Sequence, residues 1–587
     1  GNKLKELTQL LGDLGLPGSV VEITDAALQK AVWDVRKAGL NIMMSMKGDG
    51  KPVSFIEDCA VPLEHLAEYT DRLTRVFEKH GTRGTWYAHA SVGTLHVRPV
   101  LDMRRDGAAK MRAIAEEASA MVKQYKGAYS GEHGDGLVRS EWIAPFFGPR
   151  LTAALGEIKS WLDPHGLMNP GKIVNPSRMD DKTLFRYPPG YQTTPVQTHL
   201  NWSEWGGYDK AVEMCNNNGH CRKFDAGTMC PSYRATMDET HLTRGRANTL
   251  RLALSKQIPF DEAKEALDLC VSCKGCKREC PTGVDMARMK VEFTAHYKAR
   301  HGFSARDRAI GYLPRYAPWA ARMAPLANLA SSALKATLGF SAKRELPKWR
   351  SDHFTDEGTK DGDVVLFVDT FNRYFEPENA RAALKVLEAA GHRVYAPRGL
   401  CCGRTFLSAG MVDEAKREAR RMVEALAPFS GKPIIGLEPS CLFSLRDELP
   451  AMGFDQLARS AVLFEEFLAR SPGKLRFREA KQQLLLHGHC HQKAFDVMPA
   501  VEKVLRSVPG VELQTVQTSC CGMAGSFGYE AEHHEVSMKM AELSLLPAVR
   551  NSAAQIVADG TSCRHQIRDG SGREAMHVAR VLADALA

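Results

Sequence analysis

Apolar residues recur at helical spacing over Asp25–Ala38, Leu63–Lys79 and Gly107–Tyr125, which predicts three helices separated by short strands. This first region, 1–178, closes on HGLMNPGKIVNP (165–176), a Pro/Gly-rich stretch. Periodicity is then lost over 179–210, which predicts a linker. Residues 211–295 carry helical patterns interleaved with cysteines. Residues 296–360 are rich in Ala, Pro and Arg and predict a connecting helical segment. Within that segment, Ala324–Leu338 has an amphipathic pattern that suits either a packed core or a bilayer surface.

The last two segments, 361–475 and 476–587, repeat each other. One opens on the apolar run VVLFVDT at Val364, the other on LLLHGHC at Leu484. Each then reads helix, strand, Cys-Cys-Gly. The tripeptides begin at Cys401 and Cys520, 119 apart, and GLEPSC and ADGTSC end at Cys441 and Cys563, 122 apart. Three landmarks at nearly one offset predict a duplicated α/β domain, and the period is too long for a solenoid.

Composition changes the picture in one respect. A net charge of +9 over 587 residues is mild, and no Lys/Arg block dominates, so no nucleic-acid partner is expected. No run approaches the roughly 20 apolar residues of a membrane span. Residues 1–30 lack the basic start and apolar core of a signal peptide. A cytoplasmic chain is expected, with contact at the inner membrane face as a peripheral alternative. The first residue is Gly1, not Met, and a fragment of a longer chain is expected. The 15 cysteines matter more, because 14 lie in tight groups between 215 and 563. Clustering of that kind in a large chain points to metal or redox centres rather than disulfides. Cys59 stands alone and is expected to be a buried apolar residue.

The sharpest motif is LCVSCKGCKRECP, with Cys270, Cys273, Cys276 and Cys280 before Pro281. This C-x2-C-x2-C-x3-C-P run suits a 4Fe–4S cluster, because thiolates two residues apart in a tight loop converge on three corners of one cubane. Zinc sites more often show two separated C-x2-C pairs. A looser set lies upstream: Cys215, Cys221 and Cys230, followed by Pro231. In two-cluster ferredoxins the last cysteine of each set ligates the other cluster. Cys230 would then join Cys270, Cys273 and Cys276, while Cys280 joins Cys215 and Cys221. The second cluster is left with three thiolates, and His220, His241 or a three-iron cluster remain open for it.

The stretch GTMCPSYRATMDETHLTRGRA resembles the dicluster ferredoxin-like domain of flavin/iron–sulfur dehydrogenases related to D-lactate and D-2-hydroxyglutarate dehydrogenase. The paired Cys-Cys-Gly segments are similar to the cysteine-rich domains of heterodisulfide reductase and of glycerol-3-phosphate dehydrogenase anchor subunits. Their full pattern adds a leading Cys and a closing C-x-x-C. The second copy keeps Cys490, Cys520, Cys521 and Cys563 but has Gln566 at the last position. The first keeps Cys401, Cys402 and Cys441 but has Thr370 and Ser444. Four thiolates complete a metal site and three usually need help. The second copy is thus read either as holding a further cluster or as a docking domain that has lost one. If HGHCHQK (487–493) continues the strand, His487, His489 and His491 share one face.

Near the start, WYAHASVGTLHVRPVL places His89 and His96 seven apart, which a straight strand sends to opposite faces. A turn at Ser91–Gly93 would bring them together. AYSGEHGDGLVRSEW then adds Glu132 and His133 in a Gly-rich bend. Two histidines and a carboxylate suit a catalytic metal site with an open position. HxxxGxLH followed by GEHGxG resembles the C-terminal substrate domain of FAD-linked D-2-hydroxy-acid dehydrogenases in the vanillyl-alcohol oxidase superfamily. The resemblance implies that His89, His96 and Glu132 hold a divalent ion, usually zinc. It further implies His133 as base, Arg36 in WDVRKAG for the substrate carboxylate, and Asn169 in DPHGLMNPGK near the flavin.

Two positions depart from that pattern. Arg98 stands where the hydroxyglutarate enzymes have asparagine, and Ile56 where they have a substrate lysine two residues before an aspartate matching Asp58. Arg98, Lys47 and Lys51 are then the candidate cations for a distal carboxylate.

The whole is expected to be a multidomain α+β and α/β protein. It would join an FAD-linked oxidase C-terminal substrate domain, a helical dicluster ferredoxin domain and two α/β Cys-Cys-Gly domains. Its expected reaction is oxidation of a D-2-hydroxy acid, with electrons passing from FAD through two 4Fe–4S clusters to a quinone or protein acceptor. The FAD-binding domain would lie outside the chain, and an oligomer is expected. The alternative is the iron–sulfur subunit of a membrane-associated complex of the glycolate or glycerol-3-phosphate dehydrogenase type.

Overall fold

The computed structural model describes residues 2–16, 18, 21–224 and 227–587. They form two compact units, Gly1–Tyr191 and Gln192–Ala587.

In the first unit a three-stranded antiparallel sheet runs β1 (Lys51–Pro52), β2 (Gly84–His89) and β3 (Thr94–Leu101), in the order β1-β3-β2. Helix α1 spans Asn2–Asp13, and α2 spans Ala26–Met44 behind its cap Asp25, whose carboxylate accepts from the Leu28 N–H at 2.8 Å. The pattern alone stops this second helix at Ala38. It continues because Gly39–Met44 holds no proline and one tolerated glycine. Neither α1 nor α2 buries a residue among those described. Helices α3 (Leu66–Lys79) and α4 (Gly107–Gln124) cover the sheet. Tyr69, Leu73, Val76 and Phe77 on α3 meet Met111, Ile114, Ala118 and Met121 on α4, the i, i+3/i+4, i+7 spacing that lines one helix face.

The second unit contains both repeats. Strands β4 (Val364–Phe367), β5 (Val394–Tyr395), β6 (Ile434–Gly436) and β7 (Ala461–Leu463) form a parallel sheet in the order β5-β4-β6-β7. Strands β8 (Gln482–Leu486), β9 (Val511–Thr515), β10 (Gln555–Val557) and β11 (Ala575–Met576) form another, in the order β9-β8-β10-β11. The identical strand order is the duplication seen in the sequence. The central strands are covered on both faces, which is why VVLF in β4 and LLL in β8 read as unbroken apolar runs, while the edge strand β9 (VELQT) alternates and exposes Glu512 and Gln514. Val364 and Leu366 face a core shared with Leu484 and Leu486 of the other copy, while Val365 and Phe367 face a core shared with the cysteine-bearing helices.

Between Gln192 and the repeats lie the short cysteine-bearing helices, then α5 (Met286–His301), α6 (Leu313–Arg322) and α7 (Ala324–Leu334). Of α7 only Ala324 is buried, so the packed-core reading of that segment is corrected: its leucines face outward.

Candidate functional site

Residues Gly84–Leu101 form a tight antiparallel hairpin. Its turn closes at Gly93, where φ is +72° and a Cβ would stand 2.0 Å from the Val61 carbonyl oxygen, so only glycine fits. The register pairs Tyr87 with His96 and His89 with Thr94. His89 and His96 therefore sit diagonally on one face, with ring centroids 4.9 Å apart.

The bend that follows α4 brings in Glu132, whose Oε1 lies 3.1 Å from His96 Nε2 and 3.8 Å from His89 Nε2. Asp58 holds the bend, accepting from the N–H groups of Glu132 (2.9 Å) and His133 (2.7 Å) and pairing with Arg139. Burial opposes the charge of Asp58, yet those N–H groups and the Arg139 guanidinium hold it below the ordinary carboxylate value. Gly131 packs so closely that a Cβ would stand 2.7 Å from the Asp58 carbonyl oxygen.

His89, His96 and Glu132 present one ligand atom each, all within 4.8 Å of one another. Burial drives the pKa of His96 down against the pull of Glu132, which keeps it a neutral, ligating imidazole. Its Nδ1 is buried without a hydrogen-bond partner. A two-histidine, one-carboxylate set with an exposed side fits a catalytic divalent ion such as zinc.

His133 stacks on His96 at 5.1 Å and turns Nδ1 toward Glu57 Oε1 at 3.4 Å. Tyr87 stacks on the other side of His96 at 4.6 Å. Arg98, two residues beyond His96 on the same face, is buried and donates to Ser54 Oγ (2.9 Å) and Tyr87 OH (3.1 Å). It makes no ion pair among the described residues. Tyr87 and Glu57 carry no motif of their own, and Asp58 stands in the sequence only as the aspartate that aligns Ile56. The one hint is the acidic pair inside the apolar stretch FIEDCAV, since buried carboxylates demand partners.

The other expected residues stand apart from this group. Arg36 is exposed on α2, over the Trp33 ring at 5.8 Å. Asn169 is exposed in the left-handed conformation, in a loop held by Asp163. Ile56 is fully buried in the core. The Lys51 ammonium bonds the Met46 carbonyl.

In the second unit the cysteines of 215–280 are buried apart from the half-buried Cys280. Ser272 and Lys274 adopt positive φ, which winds the loop tightly around Cys270, Cys273 and Cys276. Burial raises the thiol of Cys221 to about 12, helped by the sulfurs of Cys230, Cys215 and Cys280. Burial likewise raises Cys276, with Cys273, Cys230 and Cys270 as its sulfur neighbours. Cys230 is thus a neighbour of both sets, beside Cys221 as well as beside Cys276.

Sulfurs on one zinc lie about 3.8 Å apart. Among the described residues no cysteine trio converges to within 4.8 Å, so the wider span of a cubane fits this donor set better. Cys230 Sγ accepts from the Thr243 N–H at 3.1 Å and Cys276 Sγ from the Met286 N–H at 3.4 Å, bonds of the kind that stabilise cluster thiolates. His220 is exposed and His241 bonds Thr236 Oγ1 at 3.1 Å; neither joins the Cys215 group.

Strand β8 ends at Leu486, and after His487, Gly488 and His489 a short helix begins, Cys490–Ala494. The single-face strand expected for His487, His489 and His491 is thereby corrected: all three are buried, each with its own partner. His487 Nδ1 meets Thr518 Oγ1 at 2.9 Å, His489 caps the helix, and His491 Nε2 meets the Ser272 carbonyl at 3.0 Å. Cys490 is the leading sulfur neighbour of Cys273, and Cys273, Cys490, Cys520, Cys521 and Cys563 share one core. A cavity of ≈ 500 Å³ reaches Cys270, Cys490, Cys520 and Cys521. Lys274 and Lys277, non-cysteine positions of the cluster motif, and Lys290 tie the loop down. Lys274 pairs with Asp447 (2.6 Å) and Glu448 (2.7 Å), and Lys290 donates to the Cys270 carbonyl at 2.6 Å.

Comparison with known proteins agrees with this division. Residues 2–173 match the family described as FAD linked oxidases, C-terminal domain. Residues 211–284 match the 4Fe-4S dicluster domain, and 365–446 and 484–568 each match the cysteine-rich domain. The chain is 27% identical to D-2-hydroxyglutarate dehydrogenase of Escherichia coli (strain K12), over 94% of this chain and 61% of that protein. It is 28% identical to the protein of the same name from Pseudomonas putida, over 94% and 60%. Over 45% of its length it is 28% identical to a subunit of the anaerobic glycerol-3-phosphate dehydrogenase of Escherichia coli (strain K12), of which the match takes in 73%. The chain spans about 60% of the length of the hydroxyglutarate dehydrogenases it matches.

Proposed function

We propose that this chain belongs to an FAD- and iron–sulfur-dependent enzyme that oxidises a D-2-hydroxy acid to the 2-oxo acid, releasing two electrons and two protons. The observation that carries this reading is the convergence of His89, His96 and Glu132 beside His133, with Arg98 on the same sheet face. An electron-transfer subunit of the glycolate or glycerol-3-phosphate type has no use for such a group.

When bound, the groups supply Lewis acidity (a divalent ion on His89, His96 and Glu132), hydride acceptance (flavin) and one-electron transfer (clusters). The chain's own residues do the rest. His133 takes the hydroxyl proton as general base, and Glu57 beside its Nδ1 stabilises the imidazolium. Arg36 and Asn169, exposed and apart from this group, would meet the C1 carboxylate and the flavin only where the FAD-binding part of the protein brings those groups to them. Arg98, a buried cation with neutral partners, holds a second carboxylate, which favours a hydroxyglutarate-like substrate over lactate. Cys215, Cys221 and Cys280 hold one cluster, and Cys230, Cys270, Cys273 and Cys276 another. Cys490, Cys520, Cys521 and Cys563 hold a third next to it. A cluster held there would supply one-electron transfer toward a quinone or protein acceptor at the inner membrane face.

The test is turnover of D-2-hydroxyglutarate and D-lactate by anaerobically purified protein with an artificial acceptor. His133→Asn should lower kcat by about 10²–10⁴ while zinc and iron content stay unchanged. Arg98→Met should raise KM for D-2-hydroxyglutarate about tenfold or more and leave that for D-lactate alone. Iron without a second divalent metal, and no turnover of either acid, would leave the electron-transfer subunit as the better reading.

A further inference from the structure

Helices α6 and α7 are built inside out for water. Their buried positions are alanines, Ala317, Ala321 and Ala324, packed toward Trp349 and Phe375. Their large apolar side chains point outward: Trp319 is 66% exposed, Met323 55%, Leu326 62% and Leu329 70%. A helix that settles against a protein core places these the other way round. With the exposed Tyr312 and Tyr316, Trp319 and Met323 follow at three- and four-residue steps along α6, and Leu326 and Leu329 do so on α7; the two runs of this stripe meet at Met323, where the backbone leaves helical geometry. A contiguous exposed apolar patch of this kind marks an interaction surface.

The charge around the stripe says what covers it. Between Asp307 and Glu345 the chain has six Lys or Arg and no Asp or Glu. Arg308, Arg322 and Lys343 are exposed, and the Arg322 guanidinium lies over the Trp319 ring at 5.3 Å. Arg315 and Arg344 are engaged by Glu418 and Asp569 and add less. The charges carried by the two helices are all cationic, with Glu414 and Glu418 of a neighbouring helix reaching only the Tyr312–Arg315 end. Aromatic and aliphatic side chains set among cations match the boundary between headgroups and acyl chains of an anionic bilayer. No described helix is long and apolar enough to cross a membrane, so the pair would lie in the interface plane.

We infer that α6 and α7 form a docking surface for an anionic lipid bilayer, with Trp319, Met323, Leu326 and Leu329 entering the headgroup layer and Arg308, Arg322 and Lys343 meeting lipid phosphates. The surface itself stands on this geometry. Its use, delivery of electrons to an acceptor at the membrane, rests on the function proposed above.

Sedimentation with vesicles tests it. The protein should co-sediment at low salt with phosphatidylcholine vesicles containing about one third phosphatidylglycerol, and far less with phosphatidylcholine alone or at high salt. The double variant Trp319→Asp/Leu326→Asp, with iron content and circular dichroism unchanged because both side chains are exposed, should bind at least about tenfold more weakly. Arg322→Glu should weaken binding several-fold on anionic vesicles only. Absence of binding to the anionic vesicles, or equal binding by the double variant, would overturn the inference. So would a dimer that the double variant dissolves, since a second copy would then own the face. Membrane binding that persists in protein unable to oxidise any hydroxy acid would sink the functional reading and leave the surface standing.

Discussion

The two Cys-Cys-Gly copies share a strand order and differ in electrostatics. In each, a short helix follows the first strand, capped by Asp369 in copy one and His489 in copy two. In copy one Cys402 pushes the Cys401 thiol up, and burial adds to this. Cys441 is eased down by Cys402, but burial beside Asp369 and Glu438 outweighs that and lifts it to about 12. In copy two Cys490 is drawn down by the S–H of Cys520 and by His489, and Cys521 by Cys520, Cys563 and His487. Although burial works against it, His489 itself is carried up to about 9 by the Cys490 thiolate. A carboxylate at the cap repels thiolates, whereas an imidazolium stabilises them. In copy two the neighbouring sulfurs and the same burial lift Cys520 and Cys563, so its thiols share protons as one group beside His487 and His489, whereas copy one has a carboxylate at the same cap and all three of its thiols are raised. The positions that lost their cysteines are occupied structurally: Ser444 Oγ bonds the Ser440 carbonyl and Gln566 Nε2 the Ser537 carbonyl.

Iron content is the bluntest way to break this comparison. Cys490→Ser or Cys521→Ser should remove about four irons per chain by acid-labile sulfide and iron assay, and Cys402→Ser should remove none. Equal loss from both copies would erase the distinction. His489→Asp, which gives copy two the cap of copy one, should also empty the site.

A second effect, smaller in iron but large in stability, concerns what copy one is for. Lys274 is fully buried and bridges the cluster loop to Asp447 and Glu448 of copy one. Lys274→Met removes the shared buried cation and leaves Asp447 with Lys277 and Glu448 with Arg404, at a cost of about 1–3 kcal/mol in denaturant unfolding. A negligible cost would mean that copy one does not anchor the clusters.

The smallest effect is a pH dependence that belongs to copy two. His533 lies between Asp268 (3.1 Å) and Glu530 (2.8 Å), and these lift it to about 9 against burial. Because the folded pKa exceeds the unfolded value near 6.5, its stabilisation is full below that pH and is lost as pH rises through 9. Thermal scans should show Tm falling by roughly 2–4 °C over that window, and His533→Gln should flatten the slope.

Much of this molecule is legible before folding. The hairpin bringing His89 to His96 follows from a seven-residue spacing around a glycine turn, and the cluster loop from its cysteine spacing. The histidine run after Leu486 reads as a strand because its residues alternate, while Gly488 and the cap at His489 start a helix instead. Arg98 stands out in the sequence only as a departure from a pattern. Its burial on the face of β3 that carries His96 depends on the pairing register with β2.

The sequence by itself determined the kinds of centre present, because ligand type and spacing along the chain limit what a loop can bind. It also determined the duplication, since two apolar runs and two Cys-Cys-Gly triplets at one offset admit little else. Only the tertiary structure decided which charges surround the thiols of each copy, which lysine anchors the cluster loop and which helices turn their apolar side outward. Those outcomes depend on burial and on charges brought from distant parts of the chain, and neither quantity is written in local spacing.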